Sequence, residues 1–195
     1  SMPLERQADA RGPDGTAEFA EFVENAKWRH QGVQFVTVHV TGSQNNFFIH
    51  DAAAAAEAQR RHRAVIAWLQ SAFADARAAD ASAVVIAMHA QLFLDGPGDA
   101  EFGRPVRGGG EGPFYWIARA VRDLGSAFGR PVLLIHGDFH EFIVDRPFFV
   151  STGEVTPPKY DNITRLQVFG APEIRAVRIS VDTASPWVFG FTPLY

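Results

Sequence analysis

The sequence predicts an α/β fold in which a parallel βαβαβ core is followed by antiparallel strands. Three observations carry this expectation. Residues 33–41, 83–89 and 131–136 are short β-branched, apolar runs with the content of buried strands. The segments between them repeat apolar residues at helical spacing. Beyond residue 140 the helical period disappears, and short strand-like runs alternate with turn residues. Strands separated by helices argue for a parallel sheet with right-handed crossovers. A terminal run of strands joined by turns argues for an antiparallel extension.

Taken in order, residues 1–30 are polar and read as an N-terminal arm, with one short helix near residues 18–24. The domain proper is expected over residues 31–195. VQFVTVHVT at 33–41 is its first strand, and GSQNN at 42–46 follows as a loop. Asp51 is placed to cap a helix running from residue 52 to about residue 79. Val65, Leu69, Ala72, Phe73 and Ala76 form its apolar stripe, with Trp68 beside it. AVVIAMH at 83–89 is the second strand. A Gly/Pro-rich loop at 91–112, ending in RGGGEGP, is long enough to suggest a functional or mobile segment. It has neither the lysine nor the spacing of a Walker-type phosphate loop. A second helix over 113–128 buries Phe114, Ile117, Val121, Leu124 and Phe128. Pro131 then opens the strand VLLIH. Short strands are expected at 141–144, 163–169, 174–181 and 187–191, with a turn-rich stretch at 151–162.

The chain's 195 residues suffice for one domain with a real core. Its 47% hydrophobic and 21% charged content is that of an ordinary globular protein. A net charge of -4 with scattered arginines gives no footprint for nucleic acid or an anionic membrane surface. No apolar run reaches the roughly 18–20 residues of a membrane span, and no signal-peptide pattern is present. The chain has no cysteine, which removes disulfides and thiolate metal sites but leaves the compartment open.

Ligands of open α/β sheets bind beyond the carboxyl ends of the strands. Three of the expected strands end there in polar groups: His39 followed by GSQNN, then His89, then His136-Gly137-Asp138-Phe139-His140. Neutral imidazole and carboxylate suit divalent metals. Gly137 is expected to supply the sharp turn that brings Asp138 and His140 together. His89, Asp138 and His140 are therefore the candidate metal ligands, and Asp138 and His140 the candidate catalytic pair. His39, Asn45 and Asn46 are candidate substrate contacts. Each has a plainer reading. A histidine inside a strand, as His39 and His136 are read, is more often a packed core residue. His89 at a strand end fits a ligand or a structural role equally. Ser and Asn at 43–46 are also ordinary turn formers. His30, His50 and His62 read as solvated.

The ordered set FVTVHVTGSQNN, AWLQSAF, AVVIAMH, PVLLIHGDFHEFIVDRP and NITRLQVFGAPEIRAVRISVD resembles the calcineurin-like metallophosphoesterases, over about residues 20–191. The resemblance is to the C-terminal portion of that domain and implies part of an αββα sandwich. It implies that His89 and the segment Gly137 to His140 hold divalent metal ions (Mn, Fe, Zn or Mg), with Asp138 standing where the family has a histidine. The implied reaction is hydrolysis of a small-molecule phosphoester. The family's N-terminal motifs (D-x-H, G-D, G-N-H-D/E) are not found here. The chain is therefore expected to be incomplete alone and to form a homo-oligomer or pair with a missing N-terminal fragment. The alternative is a non-catalytic fragment or pseudoenzyme that serves as a binding or assembly module.

Overall fold

A computed structural model of the protein describes residues 3–47, 50–93, 114–148 and 160–195. The architecture is mixed α/β. A seven-stranded sheet runs in the order β1 (Glu5–Arg6), β2 (Ala26–His30), β3 (Val33–Thr37), β4 (Ala83–Ala87), β5 (Val132–His136), β7 (Ile163–Gln167) and β6 (Ile143–Asp145). A separate two-stranded ribbon pairs β8 (Ala176–Val181) with β9 (Phe189–Leu194).

The parallel core follows the expected βαβαβ order. Strands β3, β4 and β5 are parallel neighbours. The helices α2 (Ala52–Ala78) and α3 (Tyr115–Phe128) connect them. The side chain of Asp51 accepts from the backbone N–H of Ala53 at 2.9 Å and of Ala54 at 3.0 Å, which fixes where α2 starts. Val65, Trp68, Leu69, Ala72, Phe73 and Ala76 are all buried. Gly129, at a φ of 71°, ends α3 in the left-handed conformation that glycine adopts without penalty.

Two-residue periodicity splits the sheet's side chains between two cores. Val36, Val84, Ile86, Val132, Leu134 and Ile163 pack with α2 and α3. On the opposite face Val33, Ala83, Val85, Leu133 and Leu166 join a second cluster with Val177, Ile179, Phe189 and Phe191 of the ribbon. The layers are helix, sheet and ribbon.

Three expectations are corrected. Residues 1–30 are not simply an arm, because β1 and β2 extend the sheet and β2 pairs antiparallel with β3. Buried Asn25 and Gln7 anchor that segment: Asn25 Nδ2 donates to Gln7 Oε1 at 2.6 Å, and Gln7 Nε2 to Ala64 O at 2.7 Å. Residues 18–24 form turns rather than a helix. The strand after the turn-rich stretch, β7, is parallel to β5, so the parallel part has four strands, flanked antiparallel by β6 on β7 and by β2 on β3. Of the loops expected at 91–112 and 151–162, residues 94–113 and 149–159 lie outside the described residues.

Candidate functional site

The parallel strands all end at one edge of the sheet, and their hydrogen-bond ladder continues past them. Met88 N donates to Ile135 O at 3.0 Å, Gly137 N to His89 O at 3.1 Å and Val168 N to His136 O at 2.9 Å. His89 and the segment from Gly137 are thereby locked side by side. His89 Nε2 lies 3.9 Å from Asp138 Oδ1, with His89 largely exposed and Asp138 half-buried. The second carboxylate oxygen of Asp138 accepts from Gln91 N at 3.2 Å. Gly42 closes the other side: a Cβ there would stand 2.8 Å from Asp138 Oδ1, so any larger residue would push the carboxylate away.

Gly137 does not make the sharp turn. Asp138 and His140 themselves occupy the left-handed region, with φ of 78° and 61°, while Gly137 is not among the positive-φ glycines. Non-glycine residues held there carry strain that persists only when their surroundings fix them. Here the anchors are Gln91 N on Asp138 and the carbonyl of Ala171, 2.8 Å from His140 Nδ1. A carbonyl only accepts, so Nδ1 carries a proton, and in the neutral ring the lone pair is on Nε2 of His140. The ring of His140 lies over Gly170, where a Cβ would be 2.3 Å from Cδ2.

The structure therefore brings His89 and Asp138 together and aims His140 through a contact of its own with the Gly170–Ala171 loop. Among the described residues no group of three His, Cys, Asp or Glu side chains forms a ready metal cluster. The donor chemistry at His89 and Asp138 fits a divalent ion, and the donor count there is two.

His39 lies beyond the end of β3, not within it. Its N–H donates to Asn25 Oδ1 at 2.6 Å, and its Nδ1 is 3.8 Å from Glu24 Oε2. Asn45 is taken up by the fold, and Asn46 is exposed with its amide on Glu57. Residues 42–46 make one turn, α1 (Gly42–Asn45), in which Gln44, Asn45 and Asn46 have φ of 61°, 53° and 57°. Asn45 is fully buried. Its Oδ1 accepts from Thr41 N at 3.1 Å and from Arg61 Nη1, and its Nδ2 meets His62 Nε2 at 2.7 Å. Arginine only donates, so the amide oxygen faces Arg61 and the amide nitrogen faces His62. His62 Nε2 must therefore accept, and the ring is neutral. Burial, then the neighbouring charge of Arg61, pulls its pKa down to about 4. Asn46 Nδ2 donates to Glu57 Oε2 at 2.9 Å, and Arg61 beside Glu57 holds that carboxyl down to about 2. His62 is thus a partner of the turn, not a solvated surface residue.

Beneath the loop lies a buried polar layer on the helix face. Gln91 Nε2 donates to Gln167 Oε1 at 3.0 Å and Gln167 Nε2 to Glu141 O at 2.8 Å. Buried Arg165 holds the Asp145 carboxylate through both Nε, at 2.7 Å, and Nη2. His136 donates Nδ1–H to Gly137 O at 3.1 Å, but its buried Nε2 has no hydrogen-bond partner among the described residues. Burial drives its pKa down to about 4. Sequence reasoning missed Gln91, Arg165, Asp145 and Gln167. The signal was present in ITRLQ, where Arg165 and Gln167 share the face of Ile163 and are buried.

Comparison with family models, with curated proteins and with solved structures returns no match for this chain.

Proposed function

We propose that this chain is the C-terminal portion of a calcineurin-like metallophosphoesterase and that its site serves hydrolysis of a small-molecule phosphoester. The observation that carries the reading is the facing pair His89 Nε2 and Asp138 Oδ1, 3.9 Å apart on adjoining parallel strand ends. Nitrogen–metal and oxygen–metal bonds of about 2.0–2.2 Å span such a gap with little movement. His89 and Asp138 would hold a divalent ion of the Mn, Fe, Zn or Mg class. Such an ion supplies Lewis-acid stabilisation of phosphoryl charge. The chain's own residues orient the group. Gln91 N and Gly42 fix the Asp138 carboxylate, and Ala171 O fixes the tautomer of His140 so that Nε2 is a ligand or proton acceptor. A backbone carbonyl on the far nitrogen is the support that ligating histidines ordinarily have. The remaining donors would come from outside the described residues or from a second chain.

A second reading, a binding or assembly module without catalysis, draws on the same site holding two such donors among the described residues.

One experiment separates them. Protein purified without chelator is assayed for bound metal, and for hydrolysis of a chromogenic phosphomonoester and phosphodiester with added manganese. The enzyme reading expects retained metal and a manganese-dependent rate. His89→Ala and Asp138→Ala should each weaken metal retention by more than the roughly 10–100-fold typical of an outer-shell partner. Absence of both metal and rate above buffer overturns it in favour of the module.

A further inference from the structure

Phe139 stands between the two fixed residues of the loop, and the residue is 52% exposed. The other described phenylalanines are buried or half-buried, whereas Phe139 is exposed beside Asp138 and His140. The mounting is rigid. Asp138 on one side is held by Gln91 N, and His140 on the other by Ala171 O. Both flanking residues take the left-handed conformation, so the backbone cannot relax to tuck the ring inward without losing those anchors. Among the described residues the neighbouring rings are engaged with one another. Phe142 stacks on Phe169 at 5.0 Å, and the guanidinium of Arg175 lies over Phe169 and Tyr195 at 5.4 and 4.7 Å.

We propose that Phe139 is the specificity element of this site and stacks on a flat aromatic group of the substrate, which makes the substrate class an aryl-bearing phosphoester. The proposal rests on the phosphoesterase reading above. The anionic end of the ligand belongs with His89 and His140, and the ring of Phe139 offers a π-face to the organic end. Stacking of this kind tolerates many ring systems, because every aromatic ring has such a face. It selects flat esters over alkyl ones without a hydrogen-bond code.

The test uses non-hydrolysable probes in the presence of manganese: phenylphosphonate and methylphosphonate, titrated calorimetrically. Wild type should bind phenylphosphonate about tenfold more tightly, the lower part of the range that base stacking supplies. Phe139→Ala should erase that preference and leave methylphosphonate binding unchanged, while Phe139→Tyr should keep it. The position is exposed, and an unchanged melting temperature verifies that each variant is folded. Equal affinity of the two probes in wild type, or a preference that survives in Phe139→Ala, overturns the assignment of Phe139 and leaves the phosphoester site standing. Failure of both probes to bind removes the phosphoester reading, and this proposal with it.

Discussion

At the scale of single residues, two histidines add a slope to stability between pH 6.5 and 4. His62 accepts a hydrogen bond from Asn45, and His136 is buried with its Nε2 unpartnered among the described residues. Both are neutral in the fold, with pKa values pulled down from 6.5 to about 4, chiefly by burial. The unfolded chain takes up protons at these positions below about pH 6.5, while the folded chain does not until about pH 4. Stability is thus full above pH 6.5 and falls as pH drops from 6.5 to 4. For fully buried His136 the loss approaches roughly 3 kcal/mol across that window, from the linkage of pKa to stability. Urea titrations at pH 7, 6, 5 and 4 should show this slope. His136→Phe and His62→Gln should each flatten it, and an unchanged slope in both variants would contradict the assignment. His39, Asp138 and His140 were recognisable in the sequence because they follow apolar runs. The roles of His62 and His136 were not, because a tautomer depends on which atom faces the ring, and that is a tertiary fact.

At the scale of elements, the contact between α3 and β7 turns on one glycine. Gly125 is buried in the last turns of α3, where a Cβ would lie 2.7 Å from Ile163 Cδ1 and 3.1 Å from its Cγ1. Helix propensity alone favours alanine there by about 1 kcal/mol. Ile163 is fully buried between α3 and the sheet, so its side chain has little room to give. Overpacking typically costs about 1–3 kcal/mol, and it outweighs propensity. Gly125→Ala should lower the denaturation midpoint, and Gly125→Ala with Ile163→Val should recover part of the loss. If the single variant is more stable than wild type, the tight contact is not there. The helices and the first three core strands were legible because their apolar periods are long and Asp51 marks a start. The parallel placement of β7 was not, since a strand's partner and direction are set by the whole sheet. β1 and β2 were missed because AKWRH carries three polar residues. Lys27 is nonetheless buried, with Nζ 2.6 Å from Asp75 Oδ2, 3.2 Å from Glu5 Oε1 and 4.5 Å from the centre of the Trp68 ring.

At the scale of the whole molecule, the open backbone edges of the described residues are the places where a further strand could add. β1 is two residues long and pairs only with Ala26 and Lys27, so among the described residues the rest of β2 has no outer partner. The ribbon of β8 and β9 likewise has both outer edges unpaired among the described residues. Unpaired edges are templates for strand addition. Pro193 lies within β9 and removes one donor from that edge, whereas β8 carries no proline. Val181 at the end of β8 and Trp187 in the following turn are exposed, at 42% and 73%. We predict that a second copy adds at the β8 edge, antiparallel, to make a four-stranded sheet about a two-fold axis. Light scattering at micromolar concentration should report a dimer or larger species. Val181→Lys places a charge at that seam, of the kind natural edge strands use against pairing; it should shift the protein toward monomer without lowering its melting temperature by more than the change in association accounts for. A monomer in wild type would leave the edge without a partner of its own kind. Dimerisation that withstands Val181→Lys would move the seam to the open edge of β2.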